Sequence, residues 1–276
     1  MFRIRAVWRF LFSRGWWPLI ALVLASAGLW GFMNLADEVV DQETQRFDER
    51  VFRAIAGPFN AGERVDAPED ATTPMDKPSG ETVDQAAAEA PFVVSDFWKE
   101  SARDFTALGG TTVITLIVTF VVLLFFLLGQ WRSAAFTLVS ILGGLGISLI
   151  LKRAFARDRP DIYEHLSHTM TSSFPSGHST NSAVVYLTLA ILVATQVKSR
   201  KIKVLVMVFG VLVPVMVGLS RIAMAVHWPT DVAAGWMLGA SWGLLVYAIA
   251  AYLHKKKVIE DPGMDEVPAA GRFEVV

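Results

Sequence analysis

The sequence predicts an all-α, polytopic membrane protein with six transmembrane helices and a long external loop between the first and the second. Three observations carry that prediction. The 276 residues are 53% hydrophobic and only 18% charged, with mean hydropathy +0.45, whereas soluble domains run near about 45–50% apolar and about 25% charged. Six apolar runs, at 16–35, 111–128, 134–151, 180–197, 204–223 and 232–253, each come close to the ~20 residues a helix needs to cross ~30 Å of hydrocarbon. The basic residues, finally, fall on alternate connections between those runs. Inside a bilayer no water satisfies the backbone, so the runs must be helical. Six fully buried helices in a soluble chain of this size would leave little polar surface to dissolve it.

The elements follow in order. Residues 1–36 hold a basic N-terminus (Arg3, Arg5, Arg9, Arg14) and the first span. Ala25, Ser26 and Ala27 make an A-x-A pattern of the kind cleaved from signal peptides, but the apolar run continues past it, which favours a retained helix. From Ala36 to Gly110 there are 17 acidic and 7 basic side chains, a net of −10. This external acidic loop, 37–110, is rich in Pro, Gly, Ala and acids over 57–91, too poor in large apolar residues to fold alone, and reads as a flexible tether. Its flanks, VVDQETQRFDERVFRAIAG and FVVSDFWKESARDFTALGG, space apolar residues helically and read as interfacial helices. Residues 111–254 form a five-helix core, and 255–276 a polar tail.

Orientation follows from charge. Arg132, the VKSRKIK link (Lys198, Arg200, Lys201, Lys203) and Lys255–Lys257 fall on the same side as the N-terminus if six helices alternate. The positive-inside rule makes that side cytoplasmic and the acidic loop external. Pro214 is expected to kink the fifth span. Gly235, Gly239 and Gly243 repeat G-x-x-x-G along the sixth, spacing that serves packing within the bundle or a homodimer contact.

Three polar stretches then meet at the outer ends of the third to sixth spans: KRAFARDRP (152–160), FPSGHST (174–180) and SRIAMAVHWPTD (220–231). Lys152, Arg153, Arg157 and Arg159 crowd a side that should be poor in cations, which calls for an anion. Ser176 and Gly177 open a helix, where amides lack partners and the dipole is positive, a setting suited to phosphate. Arg159 and Arg221 offer bidentate forks and Lys152 a point charge. His227 precedes Asp231 by four residues with Pro229 between, so the pair straddles a helix start. The carboxylate would hold one imidazole nitrogen and leave the other free as a nucleophile. His178, in the first turn after the phosphate cradle, is placed as a general acid. Taken singly, each feature is structural more often than functional; their convergence points to a site. A metal ion fits poorly, because the cations would repel it and no second acidic cluster is present. With no cysteine there is no thiolate site either.

These stretches resemble the type-2 phosphatidic acid phosphatase family, the lipid phosphate phosphatases. The family pattern K-x6-R-P, P-S-G-H and S-R-x5-H-x3-D stands here at 152–160, 175–178 and 220–231 without departure. The resemblance implies that His227 attacks phosphorus, Asp231 orients it, and His178 protonates the leaving group and later activates water. Lys152, Arg159, Ser176, Gly177, His178 and Arg221 would surround the phosphoryl oxygens. No cofactor and no metal are implied. The partners are a lipid phosphate and the bacterial inner membrane, not nucleic acid. Undecaprenyl diphosphate, phosphatidylglycerol phosphate, phosphatidic acid and a lipid A phosphate all suit the site, with a lean toward the first. Arg153 and Arg157 lie outside the pattern and are expected to contact headgroups or the surface. A non-catalytic phospholipid-binding protein, a haloperoxidase and a lipid phosphotransferase are the rival readings; six spans weigh against the haloperoxidase, and the intact acid–base and nucleophile set weighs against the first.

Overall fold

The computed structural model describes residues 16–60, 96–163, 172–197, 199–256 and 258. The basic N-terminus, most of the tether expected at 57–91, Lys198, Lys257 and the tail from 259 onward lie outside the described residues. The described elements are α1 (Trp17–Val40), α2 (Gln45–Ala56), a 3₁₀ turn (Gly57–Phe59), α3 (Asp96–Ala107), α4 (Thr111–Leu127), α5 (Trp131–Ala154), α6 (Gly177–Gln196), α7 (Arg200–Ala223) and α8 (Pro229–Lys255). By length and composition α1, α5, α6, α7 and α8 can each cross a membrane; α4 does so jointly with α3, from which it bends by 49°.

The helix ends follow local chemistry. Helix α6 opens at Gly177, ahead of the apolar run at 180, because Ser176 is extended and leads directly into the first turn. Helix α8 opens at Pro229, since a residue before proline is steered out of helix and proline suits a first turn; Asp231 therefore sits in that turn. Helix α1 runs past the apolar stretch to Val40. Its Ala36 and Val39 are buried with Phe32, Phe174, Ala234 and Leu238 in one cluster, which extends the helix by packing.

Helix α6 packs against α5, α7 and α8, and α8 packs in turn on α1. The outward faces are apolar and exposed, as with Leu116, Phe120 and Leu127 on α4 or Leu205 and Phe209 on α7. In a bilayer such faces meet lipid. Close approach of α8 to α6 depends on the glycine stripe. A Cβ on Gly239 would lie 2.4 Å from Ala183 Cβ and 3.0 Å from the Thr180 carbonyl oxygen; one on Gly235 would lie 3.0 Å from the Ser176 carbonyl oxygen. The G-x-x-x-G face is thus filled by α6 of the same chain.

Helices α2 and α3 stand where interfacial helices are expected, but each buries a face on protein. Phe52 and Ala56 join Tyr163, Ile222, Ala225 and Val232, and Ala102 joins Ala223, Met224 and Val226. Phe47, Phe97 and Trp98 remain exposed. Long-range hydrogen bonds pin these segments, among them Asn60 Nδ2 to the Ala223 carbonyl at 3.0 Å and Tyr186 Oη to the Leu108 carbonyl at 3.0 Å.

Gly239→Val forces α8 away from α6 or strains both, at about 1–3 kcal/mol as overpacking typically costs. The expected outcome is a lower melting temperature in detergent, with Gly146→Val, where a Cβ meets nothing within 4 Å, much closer to wild type.

Candidate active site

Every polar stretch singled out in the sequence ends at the same end of the bundle. Lys152 closes α5, Ser176 and Gly177 open α6, Arg221 closes α7 and Asp231 opens α8. Direct contacts tie them. The Ser176 amide donates to the Asp231 carbonyl at 3.0 Å, so the starts of α6 and α8 are joined through backbone. A Cβ on Gly177 would lie 3.4 Å from Lys152 Nζ; the ammonium sits directly over the helix start. Only glycine leaves the backbone there open to a ligand.

His227 is 1% exposed. Its Nδ1 is 3.4 Å from Asp231 Oδ2, and its Nε2 is 3.4 Å from Arg159 Nη1, which also donates to the Val226 carbonyl at 2.6 Å. One imidazole nitrogen thus faces a carboxylate and the other faces a guanidinium. Burial above all, then the Arg221 and Arg159 charges, push the His227 pKa down from 6.5 to about 4, against the opposing pull of Asp231. The ring is neutral at neutral pH, with Nε2 unprotonated when Nδ1–H points at Asp231. His178 is half-buried in the first turn of α6.

Arg221 is 2% exposed. Its Nη1 donates to Thr106 Oγ1 at 3.0 Å, while its Nε is buried without a partner among the described residues. A buried guanidinium with an unused donor is expensive unless an acceptor visits it. Ser176 is fully buried; its hydroxyl accepts from Ser179 Oγ at 3.0 Å and makes no cap to its own helix. Among the described residues, no three His, Asp or Glu side chains gather as a metal ligand set.

One expectation is corrected. Arg157 is not a headgroup or surface contact. Its Nη1 lies 2.6 Å from Asp231 Oδ1 and its Nη2 lies 2.6 Å from Asp48 Oδ2. The anion that answers this cation is the protein's own. Arg153, by contrast, is exposed.

Sequence reasoning also missed Asp48, Thr106 and Ser173. Ser173 Oγ donates to Asp231 Oδ2 and lies 3.4 Å from His227 Nδ1. A signal for Asp48 was present: Thr44, Asp48, Phe52 and Ala56 share one helical face at i, i+4 spacing, and all are buried. A carboxylate on a buried face needs a partner. For Thr106 and Ser173 no signal in the sequence separates them from other hydroxyls.

Comparisons with known proteins place the chain in a family and match its fold. A model of the PAP2 superfamily matches residues 133–255, a span that contains all the candidate residues. Phosphatidylglycerophosphatase B of Bacillus subtilis (strain 168) is 32% identical over 181 residues, covering 64% of this chain and 86% of that one. Lipid A 1-phosphatase of Rhizobium johnstonii is 28% identical over 131 residues, covering 44% of this chain and 49% of that one. The fold is like that of a crystal structure of a transmembrane PAP2-type phosphatidylglycerolphosphate phosphatase from Bacillus subtilis: TM-score 0.63 at 22% identity, over 86% of this chain and 98% of that chain.

Thr106→Val removes the hydroxyl that accepts the Arg221 hydrogen bond and leaves a second buried donor without that partner. A stability loss of about 1–3 kcal/mol is expected, read as a lower melting temperature. A melting temperature equal to wild type would mean that the contact between α3 and α7 does not form.

Proposed function

The chain belongs to the PAP2 superfamily as a multi-pass membrane lipid phosphate phosphatase, and from that premise we propose that it hydrolyses a phosphomonoester or diphosphate headgroup through a phosphohistidine at His227. The single observation behind this reading is the pairing at His227: Asp231 on Nδ1, Arg159 on Nε2. A substrate phosphate drawn to Arg159, Lys152, Arg221 and the first-turn amides of α6 would take over the Arg159 contact and sit against Nε2.

The chemistry then runs in two displacements. Nε2 attacks phosphorus, the bond from phosphorus to the leaving oxygen breaks, and His178 gives that oxygen a proton. In the second step His178 takes a proton from water, whose oxygen attacks phosphorus. The P–N bond breaks, phosphate leaves, and His227 returns neutral. Asp231 stabilises the imidazolium character that develops during each displacement. Phosphoryl transfer depends on alignment and on charge spread over the equatorial oxygens, which fixed cations and helix amides can stabilise without a metal.

For the substrate, phosphatidylglycerol phosphate is the first candidate, by similarity to the Bacillus subtilis relative. Undecaprenyl diphosphate, toward which the sequence leans, is the second candidate. A site at the rim of the bundle lets a lipid keep its tails in the bilayer while its headgroup enters. The charge pattern favours a bacterial inner membrane with the site on its external face.

Three measurements test this. Purified protein with phosphatidylglycerol phosphate, undecaprenyl diphosphate, phosphatidic acid and lipid A is expected to release phosphate from at least one of them in EDTA and to be inhibited by vanadate. His227→Ala should lose at least ~10³-fold; retained hydrolysis in that variant sinks the phosphohistidine. The second is the pH profile of kcat/KM. Because the His227 pKa is lowered, its nucleophilic form persists as pH falls through 6.5 and is lost only through about 4; an acid limb at 6.5 beyond that set by the substrate phosphate's own ionisation contradicts a buried neutral ring. The third concerns sidedness. The chain has no cysteine, so Ser79→Cys and Lys201→Cys are clean probes. An impermeant maleimide on intact cells should label the first and reach the second only after permeabilisation.

A further inference from the structure

We propose that Asp48 and Arg157 are positioning residues for Asp231, so that α2 holds the His227–Asp231 pair in its reactive geometry. The inference rests on the reading of His227 as nucleophile and adds to it a helix from outside the family-matched span 133–255.

The geometry is a relay of alternating charge. Arg157 bridges two carboxylates: Nη2 to Asp48 Oδ2 at 2.6 Å and Nη1 to Asp231 Oδ1 at 2.6 Å. The same Nη1 donates to Thr230 Oγ1 at 2.8 Å. Asp48 also reaches the start of α8 directly. Its Oδ1 accepts the Thr230 amide at 2.9 Å and its Oδ2 accepts the Thr230 hydroxyl at 2.6 Å. A carboxylate from another helix thus satisfies a first-turn amide of α8 and opposes its positive dipole end.

Asp231 has two oxygens with different tasks. Oδ2 accepts Ser173 Oγ and the Trp228 amide at 2.9 Å, and faces His227. Oδ1 faces Arg157. The guanidinium anchors Oδ1 while Ser173 and the Trp228 amide anchor Oδ2, so Arg157 shares in setting the rotation of the carboxylate that faces His227. The planar fork of arginine suits two carboxylates at once; an ammonium does not. The Trp228 ring, 5.8 Å from the guanidinium carbon, helps hold it.

The side chains of Asp48 and Asp231 are 1% and 0% exposed, and that of Arg157 16%. Burying three charges is poor value as a stabilising device, because desolvation offsets most of the attraction. Registering a reactive carboxylate is a reason to retain them. A loosened Asp231 lets His227 turn or switch tautomer, and misplacement by ~1 Å can cost ~10²-fold in rate.

The test is a double-mutant cycle with two readouts. D48N, R157Q and the double variant are assayed on the best lipid phosphate found for wild type, with E43Q as a control that removes an exposed acid nearby. D48N and R157Q are each expected to lower kcat about 10- to 100-fold with KM within about twofold, and D48N to add little in the R157Q background. Equal losses from D48N in both backgrounds, or kcat within twofold of wild type in either single variant, would overturn the relay. The second readout needs no turnover: ¹⁵N-histidine NMR, with the His227 signals assigned by His227→Ala. Wild type is expected to show protonated Nδ1 and bare Nε2, and both single variants to lose that fixed tautomer; unchanged His227 signals refute the proposal. If wild type hydrolyses no lipid phosphate, the phosphatase reading fails and the NMR arm still decides the relay. Should D48N not fold, R157Q leaves the contacts from Asp48 to Thr230 in place and carries both readouts.

Discussion

Asp231 is the residue on which the rest of the molecule converges. Its backbone carbonyl receives the Ser176 amide, and its side chain receives Arg157, Ser173, the Trp228 amide and His227. A fully buried carboxylate must be met from several directions, and here the directions are the segment after α5, the approach to α6 and the start of α8. Satisfying one charge thereby draws three polar stretches together. The histidine, the cations and the opening turn of α6 are aligned by the same bonds that make the charge tolerable.

That convergence depends on apolar packing deeper in the bundle. Without side chains at Gly235 and Gly239, α8 lies against the backbone of α6, which sets the height at which Ser176 meets Asp231. A residue of ordinary size there would separate the two helix starts before any polar contact could form. Small residues down the helix and charged residues at its end therefore act as one device: the first sets distance, the second sets orientation.

The segment between the first and second spans takes on a different character in three dimensions. Composition reads it as an acidic tether with helices on the lipid surface. Folded, α2 delivers Asp48 to Arg157 and α3 delivers Thr106 to Arg221. Two of the cations that the sequence assigns to the outer end are held by partners from this segment. Part of the positive charge that the sequence reads as calling for an anion is answered inside the protein: Arg159, beside His227, also bonds the Val226 carbonyl, while Lys152 lies over Gly177 and Nε of Arg221 is buried and unused among the described residues.

Much of this was legible in the sequence because it is periodic or local. Apolar run length specifies spanning helices. Pro229 specifies where α8 begins and hence where Asp231 stands. The spacing within 152–160, 175–178 and 220–231 names Lys152, Arg159, Ser176, Gly177, His178, Arg221, His227 and Asp231. The pairs that only the tertiary structure decided are distant along the chain: Asp48 with Thr230 is separated by 182 residues, Arg157 with Asp48 by 109, Arg221 with Thr106 by 115. Nothing in a one-dimensional pattern says which acid will meet which base, because that choice is made by the helix packing that brings them within reach and by the cost of leaving either one buried alone.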